Sequence, residues 1–365
     1  MELHAYAFIG LTGREIERYE LEWTGELPAK ESVFITGDAV ESDRVCYIKA
    51  LRGTAPGDVQ EVTLENGVLT VRIVPLTTRG SHVLHVGDNT YESAAFTLHT
   101  RTVDDKFARV EEGRVLYRLY TPKCSGPRPL ILFLHGGGNG GYEGERDNEK
   151  HIVADYGVVN FAENYPDVYV MAPQCVEARR KLDARSMNRV FADADKNNVP
   201  GYGWSRDYLA EVIDIIRRMI AEGKVDEKRV YVTGLSMGGA GTIRAMSVGS
   251  DLFAACLPVC PTMTPETFSI LKSIRRPVWV TSAYIDHTLY RHKYIVDAVL
   301  ALKDAGHRNV HLTLFSPEEL QKYDIALNPD QPYVQRFGEN HASWVPTYHN
   351  EYGVMSWLLN QTKDD

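Results

Sequence analysis

A glycine-rich turn places Ser236 in a sequence pattern that is typical of catalytic nucleophiles. The pattern G-x-S-x-G runs from Gly234 to Gly238, after the apolar run 230–232 and before a helical stretch at 240–246. In a nucleophile elbow of this form, a serine sits on a sharp strand-to-helix turn, and N–H groups of the following helix favour developing negative charge. The pattern predicts Ser236 as a nucleophile. The alternative is a glycine-rich helix N-terminus with a capping serine.

A second glycine-rich loop, residues 135–141, follows the apolar run 130–134 and begins with a histidine. Glycines there let backbone N–H groups approach an oxyanion without obstruction, as in the HGGG-type loop of esterases and lipases. Gly136, Gly138 and Gly141 also match the dinucleotide pattern G-x-G-x-x-G, which is weak on its own. The absence of a following Gly-Lys-Ser/Thr excludes a phosphate P-loop.

An acid and a base follow Ser236 in the order that completes a triad. Asp286 comes shortly after the apolar run 278–281, and His341 lies in the stretch 338–344. His341 would take the proton from Ser236 and return it to the leaving group, while Asp286 would fix its tautomer and stabilise the imidazolium. The competing histidines and acids are His287, His292, His307, His349, Asp251 and Asp304.

Alternating strands and helices must position these residues. Apolar runs typical of strands buried on both faces alternate with amphipathic stretches at 208–220 and 290–304, which predicts an α/β domain with a mostly parallel sheet. The predicted strands are residues 130–134, 168–171, 230–232, 278–281 and 311–315.

The first 105 residues predict a different, all-β unit. Tyr19, Leu21 and Trp23 alternate with charged residues, and Asn66-Gly67 separates two strand-like runs as in a tight hairpin. We therefore predict a small β-sandwich at residues 1–105, acting as an accessory domain, and a catalytic domain at residues 106–365.

Composition and charge narrow the class of protein. Of 365 residues, 44% are hydrophobic and 24% charged, and the net charge is -9, so a globular fold is expected and a nucleic-acid or anionic-membrane partner is disfavoured. The sequence lacks a run of about 18 apolar residues, which predicts no membrane span. Its start does not resemble a secretory signal peptide, so we predict a cytoplasmic protein, or a secreted one if a leader was removed.

Five cysteines without zinc-like spacing predict free thiols in a reducing compartment. A disulfide from Cys175 to Cys256 or Cys260 is the alternative in an exported protein. No metal site is predicted.

Five short sequence motifs, in the order in which they occur along the chain, resemble those of one family of enzymes. They resemble the α/β-hydrolase esterases grouped with polyhydroxybutyrate depolymerases and feruloyl or acetyl-xylan esterases, over about residues 115 to 360. Some members carry an N-terminal immunoglobulin-like domain, which matches the predicted β unit. The motifs are Leu134-His-Gly-Gly-Gly138, Met171-Ala-Pro-Gln-Cys175, Val230-Tyr-Val-Thr-Gly-Leu-Ser-Met-Gly-Gly239, Ile285-Asp-His287 and Asn340-His-Ala-Ser-Trp344.

The resemblance implies hydrolysis of carboxylic esters through an acyl-enzyme, without metal or organic cofactor. It implies Ser236 as nucleophile, Asp286 as acid and His341 as base. The oxyanion donors would be the backbone N–H groups of Met237 and Gly137, with Gly138 as a further candidate.

The predicted substrate is a short-chain acyl ester or a feruloyl or acetyl ester of plant carbohydrate. Gln174, Trp204 and Trp344 are predicted to contact it, although Trp204 could equally be a core residue and Gln174 a structural hydrogen-bonder. The β domain could bind carbohydrate, mediate homo-oligomerisation or shield the mouth of the active site. Two alternatives stay open: a serine peptidase of the same fold, and an inactive carbohydrate-binding or scaffold protein.

Overall fold

The computed structural model describes residues 2–10, 13–41, 55–78, 80–101, 106–137, 158–175, 203–284, 286, 291–323 and 341–363. Their backbone contacts divide them into two compact units, one within residues 2–101 and one within residues 106–363. The predicted boundary at residue 105 lies outside the described residues, as does Gly138.

The first unit is built from two β-sheets. One has the strand order β4-β5-β2-β1-β8 and the other β3-β6-β7, with β1 antiparallel to β2 and parallel to β8. The strands are β1 Leu3–Gly10, β2 Gly13–Glu22, β3 Val33–Thr36, β4 Val59–Glu65, β5 Val68–Thr77, β6 Val83–Val86, β7 Asn89–Glu92 and β8 Thr97–Arg101, with the short helix α1 at Asp38–Glu41 and 3-10 helices at Lys30–Ser32 and Ser93–Ala95.

Sequence periodicity explains the core of this unit. Tyr19 and Leu21, on the predicted inward face of β2, are fully buried together with Leu84 of the second sheet. Asn66 and Gly67 take positive φ angles of 50° and 77° in the turn of the β4–β5 hairpin, as the Asn-Gly pair predicts. An immunoglobulin-like topology stays a prediction.

The second unit contains an eight-stranded, mostly parallel sheet in the order β16-β15-β14-β13-β11-β12-β10-β9. Strands β11 to β16 are parallel to their neighbours in that group, while β9 and β10 are antiparallel. The strands are β9 Phe107–Glu112, β10 Val115–Tyr120, β11 Arg128–Leu134, β12 Tyr169–Pro173, β13 Val225–Leu235, β14 Ala255–Val259, β15 Val278–Ala283 and β16 Val310–Phe315.

Helices flank this sheet. Among the described residues they are α2 Val158–Asn164, α3 Arg206–Ala221, α4 Met237–Val248, α5 Pro265–Ser273, α6 Arg291–Asp304, α7 Pro317–Gln321, α8 Trp344–Tyr348 and α9 Val354–Leu359, with a 3-10 helix at Glu351–Gly353. As predicted, α3 buries one apolar face, including Leu209, Val212, Ile213 and Ile216.

The central strands β11, β12 and β14 are buried along almost their whole length, as expected of parallel strands covered on both faces. In the part of the chain that the structure describes, no helix is long and apolar enough to span a membrane.

Candidate active site

Ser236 occupies a strained turn between β13 and α4. Its φ of 58° and ψ of -111° are unusual for a residue with a side chain, and such strain persists only where the surroundings impose it. The Ser236 N–H donates to the Val259 carbonyl at 2.9 Å, and the Ser236 carbonyl accepts a hydrogen bond from the Thr262 N–H at 3.0 Å. The chain leaving β14 therefore holds the elbow in place.

The glycines of the elbow are required because backbone approaches them closely. A Cβ atom at Gly234 would lie 2.4 Å from the Leu134 carbonyl oxygen, and one at Gly238 only 1.8 Å from the same atom. Gly234 and Gly238 therefore have no room for a side chain.

Asp286 and His341 form a buried pair. The distance between His341 Nδ1 and Asp286 Oδ2 is 2.7 Å, and the two side chains are 3% and 0% exposed. A proton on Nδ1 shared with the carboxylate leaves Nε2 as the nitrogen that can accept one from a hydroxyl. The Trp344 ring meets the imidazole edge-on, with centroids 5.4 Å apart.

Sheet topology brings the predicted nucleophile and acid to one edge. Ser236 directly follows β13, and Asp286 comes three residues after β15 ends, with β14 between these parallel strands. Carboxyl ends of parallel strands meet at the same edge, which is where open α/β sheets bind ligands. The hydrogen bond to Asp286 joins His341 to that edge.

The side chain of His135 orients the predicted oxyanion loop, a role that sequence reasoning missed. Its Nε2 accepts from the Cys175 N–H at 2.9 Å, which leaves Nδ1 to donate to the Gly136 carbonyl at 2.8 Å. In a trans peptide the C=O and N–H groups point in opposite directions, so the Gly137 N–H faces away from the His135 ring. His135, the first residue of the glycine-rich loop, is the sequence feature from which this role could have been predicted.

The three predicted substrate contacts are all buried. Gln174 is 1% exposed, Trp204 0% and Trp344 5%. Trp204 packs against Gly241, where a Cβ would come within 2.7 Å of its ring, and its Nε1 donates to the His135 carbonyl at 3.1 Å. These contacts favour the core alternative for Trp204, whereas substrate contacts by the other two stay predictions.

The described cysteines are not joined by disulfides, and the described residues contain no cluster of metal ligands. Cys124, Cys175, Cys256 and Cys260 are thiols, so the alternative disulfide from Cys175 is not formed. Burial raises the pKa of the Cys256 thiol, which makes it a poor nucleophile. Within the described ranges, no three His, Cys, Asp or Glu side chains are arranged to hold a metal ion.

Comparisons with known proteins bear on the family and the fold. Residues 201–304 match the prolyl oligopeptidase family of peptidases. A thermostable esterase of known structure is 20% identical with a TM-score of 0.61, over 99% of this chain and 100% of that one. A comparison with curated protein sequences finds no significant match.

Two looser likenesses have TM-scores below 0.5. Esterase 2 of Thermogutta terrifontis, solved with propionate bound, is 17% identical with a TM-score of 0.41, over 57% of this chain and 82% of that one. An acylaminoacyl peptidase in complex with a peptidyl chloromethyl ketone is 13% identical with a TM-score of 0.43, over 97% and 68%.

The strand order, the elbow and the thermostable-esterase likeness together define the second unit as an α/β-hydrolase fold. The family match spans Ser236 and Asp286 and supports an enzyme of the serine hydrolase class.

Proposed function

We propose that this chain is a serine esterase that uses Ser236, His341 and Asp286. The observation that carries the proposal is the buried 2.7 Å hydrogen bond between His341 and Asp286, at the sheet edge where Ser236 occupies its strained turn. A base oriented by a carboxylate and a partly buried serine at the same sheet edge are the components that nucleophilic catalysis requires.

The chemistry follows from these groups. His341 Nε2 accepts the Ser236 proton as the oxygen attacks the ester carbonyl, and the oxyanion is stabilised by the N–H groups of Met237 and Gly137. The proton then passes to the leaving alcohol, which departs and leaves an acyl-serine. Water, deprotonated by the same imidazole, releases the acid. One oxyanion donor is typically worth about 100- to 1,000-fold in rate.

For the substrate we propose a short-chain acyl ester, or a feruloyl or acetyl ester of plant carbohydrate. The support is the set of motifs shared with polyhydroxybutyrate depolymerases and feruloyl or acetyl-xylan esterases. The thermostable esterase that the chain resembles over 99% of its length supports an ester substrate, without indicating its acyl group.

Residues 1–105 are proposed as an immunoglobulin-like accessory domain, a candidate for homo-oligomerisation, and residues 106–365 as the catalytic domain. Full activity in a soluble fragment that starts at residue 106 would show that the accessory domain is not part of the active site. Loss of activity in a folded fragment would show that the accessory domain contributes to it.

A serine peptidase of the same fold is the second candidate, since residues 201–304 match a peptidase family. Relative activity on p-nitrophenyl acetate, methyl ferulate and a peptide anilide separates the two. We expect the esters to be preferred, and preference for the anilide would reverse the assignment.

Fluorophosphonate labelling separates an enzyme from an inactive scaffold. We expect the wild-type chain to be labelled at Ser236 and the Ser236→Ala variant to be neither labelled nor active. An unlabelled, inactive wild type would leave the scaffold as the better description.

A further inference from the structure

Two buried hydroxyl bridges join α8 to strands β13 and β15. Thr281 Oγ1 on β15 lies 2.9 Å from Thr347 Oγ1 on α8, and Thr233 Oγ1 on β13 lies 3.2 Å from the Tyr348 hydroxyl. All four side chains are buried, with at most 1% exposed. Each bridge therefore connects a strand that leads to a proposed catalytic residue with the helix that follows His341.

The direction of the first bridge can be assigned. Thr347 donates its only hydroxyl proton to the Ser343 carbonyl at 2.7 Å, so Thr281 must donate to Thr347. The Ser343 N–H in turn donates to the His341 carbonyl at 2.9 Å. The chain of hydrogen bonds thus runs from the strand that precedes Asp286 to the backbone of His341.

The second bridge is assigned in the same way. Thr233 donates to the Leu257 carbonyl at 2.7 Å, so the Tyr348 hydroxyl donates to Thr233. Thr233 lies three residues before Ser236 on the strand that ends in the elbow. This bridge connects the nucleophile's strand to the base's helix.

Helix α8 depends on such contacts for its position. It has five residues, all of them buried, and a helix this short is not stable by itself in water. Hydrogen bonds have preferred directions, whereas apolar packing alone would leave the helix freer to slide. A misplacement of about 1 Å at a catalytic group can cost roughly 100-fold in rate.

We propose that Thr281, Thr347 and Tyr348 are positioning residues: their hydroxyl bridges hold the imidazole of His341 in register with Asp286 and Ser236. The inference rests on the proposed serine-esterase function.

Removal of single hydroxyl groups from the full-length protein tests this role. In Thr347→Val and Tyr348→Phe we expect kcat for p-nitrophenyl acetate to fall about tenfold, with KM changed less than about twofold, because activation of the serine is impaired and substrate contacts are not. The Thr347→Ser variant keeps the hydroxyl and is expected to restore kcat.

A matched control separates positioning from stability. The Tyr231 hydroxyl is also buried and joins β13 to the carbonyls of Leu359 and Gln361 at 2.9 and 2.8 Å, near the chain's end. In Tyr231→Phe we expect a lower Tm with unchanged kcat.

The low-field proton NMR signal of His341 Nδ1–H gives a second readout, independent of turnover. The signal should shift or broaden in Thr347→Val and Tyr348→Phe, stay unchanged in Tyr231→Phe and disappear in His341→Ala. Wild-type kcat and an unmoved signal in both hydroxyl variants would overturn the positioning role, as would a loss of Tm alone. Failure of the wild type to hydrolyse any ester or to be labelled at Ser236 would refute the proposed function instead, and the signal would still test the positioning.

Discussion

At the scale of single residues, the backbone of Ser236 stores strain that its neighbours impose. A left-handed conformation costs a residue with a side chain roughly 1–2 kcal/mol. Hydrogen bonds to Val259 and Thr262 hold that conformation, and the glycines beside it allow the carbonyl of Leu134 to come close. The elbow is therefore specified by three separate segments of chain.

We expect Gly238→Ala to abolish activity and to destabilise the fold, because its Cβ would overlap the Leu134 carbonyl oxygen at 1.8 Å. Gly306→Ala is the control: Gly306 has a φ of 81° but open space around it, so a loss of about 1 kcal/mol with full activity is expected. Urea unfolding and ester hydrolysis measure both. Wild-type activity in Gly238→Ala would contradict the elbow geometry.

The His135→Phe substitution tests the oriented peptide of the oxyanion loop. It removes the hydrogen bond to the Gly136 carbonyl and so frees the peptide that carries the Gly137 N–H. We expect kcat to fall by about 10- to 1,000-fold with little change in KM, since an oxyanion donor acts in the transition state. An unchanged kcat would show that this peptide is not part of the oxyanion hole.

At the scale of elements, five of the eight strands of the second unit's sheet were predicted, and β9, β10 and β14 were not. Apolar runs predicted β11, β12, β15 and β16 within about two residues, whereas β13 begins five residues before and ends three residues after its predicted run. Strand β14, Ala255–Val259, was missed because Pro258 and small residues weaken the strand pattern, although the strand lies between β13 and β15. Val259, the last residue of β14, supplies the carbonyl that accepts a hydrogen bond from the Ser236 N–H. Without this strand, the sequence prediction could not explain what holds the elbow in place.

The surroundings of His341 also escaped prediction in part. Its candidacy followed from the order of the motifs. The hydroxyl bridges, however, join Thr281 to Thr347 across 66 positions of the chain and Thr233 to Tyr348 across 115 positions. Single-sequence periodicity reports local structure and carries no information on such distant pairs. Two short helices, α8 and α9, follow His341.

Packing of α3 against the sheet provides a stability prediction. We expect Ile213→Ala, at a fully buried position, to lower the free energy of unfolding by about 2–5 kcal/mol, because a cavity remains. Leu300→Ala on α6, where the leucine is 53% exposed, should change it by less than about 0.5 kcal/mol. Equal effects in chemical denaturation would contradict the buried face assigned to α3.

At the scale of the whole molecule, the net charge of -9 disfavours polyanionic partners. Each unit has its own buried core, so the two can respond differently to solution conditions. Acid pH is one such condition, because the first unit buries a histidine.

His82 in the first unit is buried, and its Nε2 is hydrogen-bonded to the Tyr19 hydroxyl at 2.7 Å. Burial lowers the pKa of His82 below its usual value near 6.5. The unfolded chain therefore binds a proton as pH falls through 6.5 while the folded chain does not, so stability present above pH 6.5 is lost between that pH and the lowered pKa.

We expect thermal unfolding of the first unit to show a lower Tm at pH 5 than at pH 7.5, and the difference to shrink in His82→Gln. His85→Gln, at a partly exposed position on β6 three residues after His82, should keep the wild-type difference. A difference that is equally large in His82→Gln would assign the acid sensitivity to other groups.

The acyl-enzyme tests the central claim most directly. The wild-type chain would be mixed with p-nitrophenyl acetate, quenched in acid within the burst and mapped by peptide mass spectrometry. The account predicts an acetyl group on Ser236 in the wild type and none in Ser236→Ala or His341→Ala. Stoichiometric acetylation of another residue, or full turnover by the Ser236→Ala variant, would contradict it.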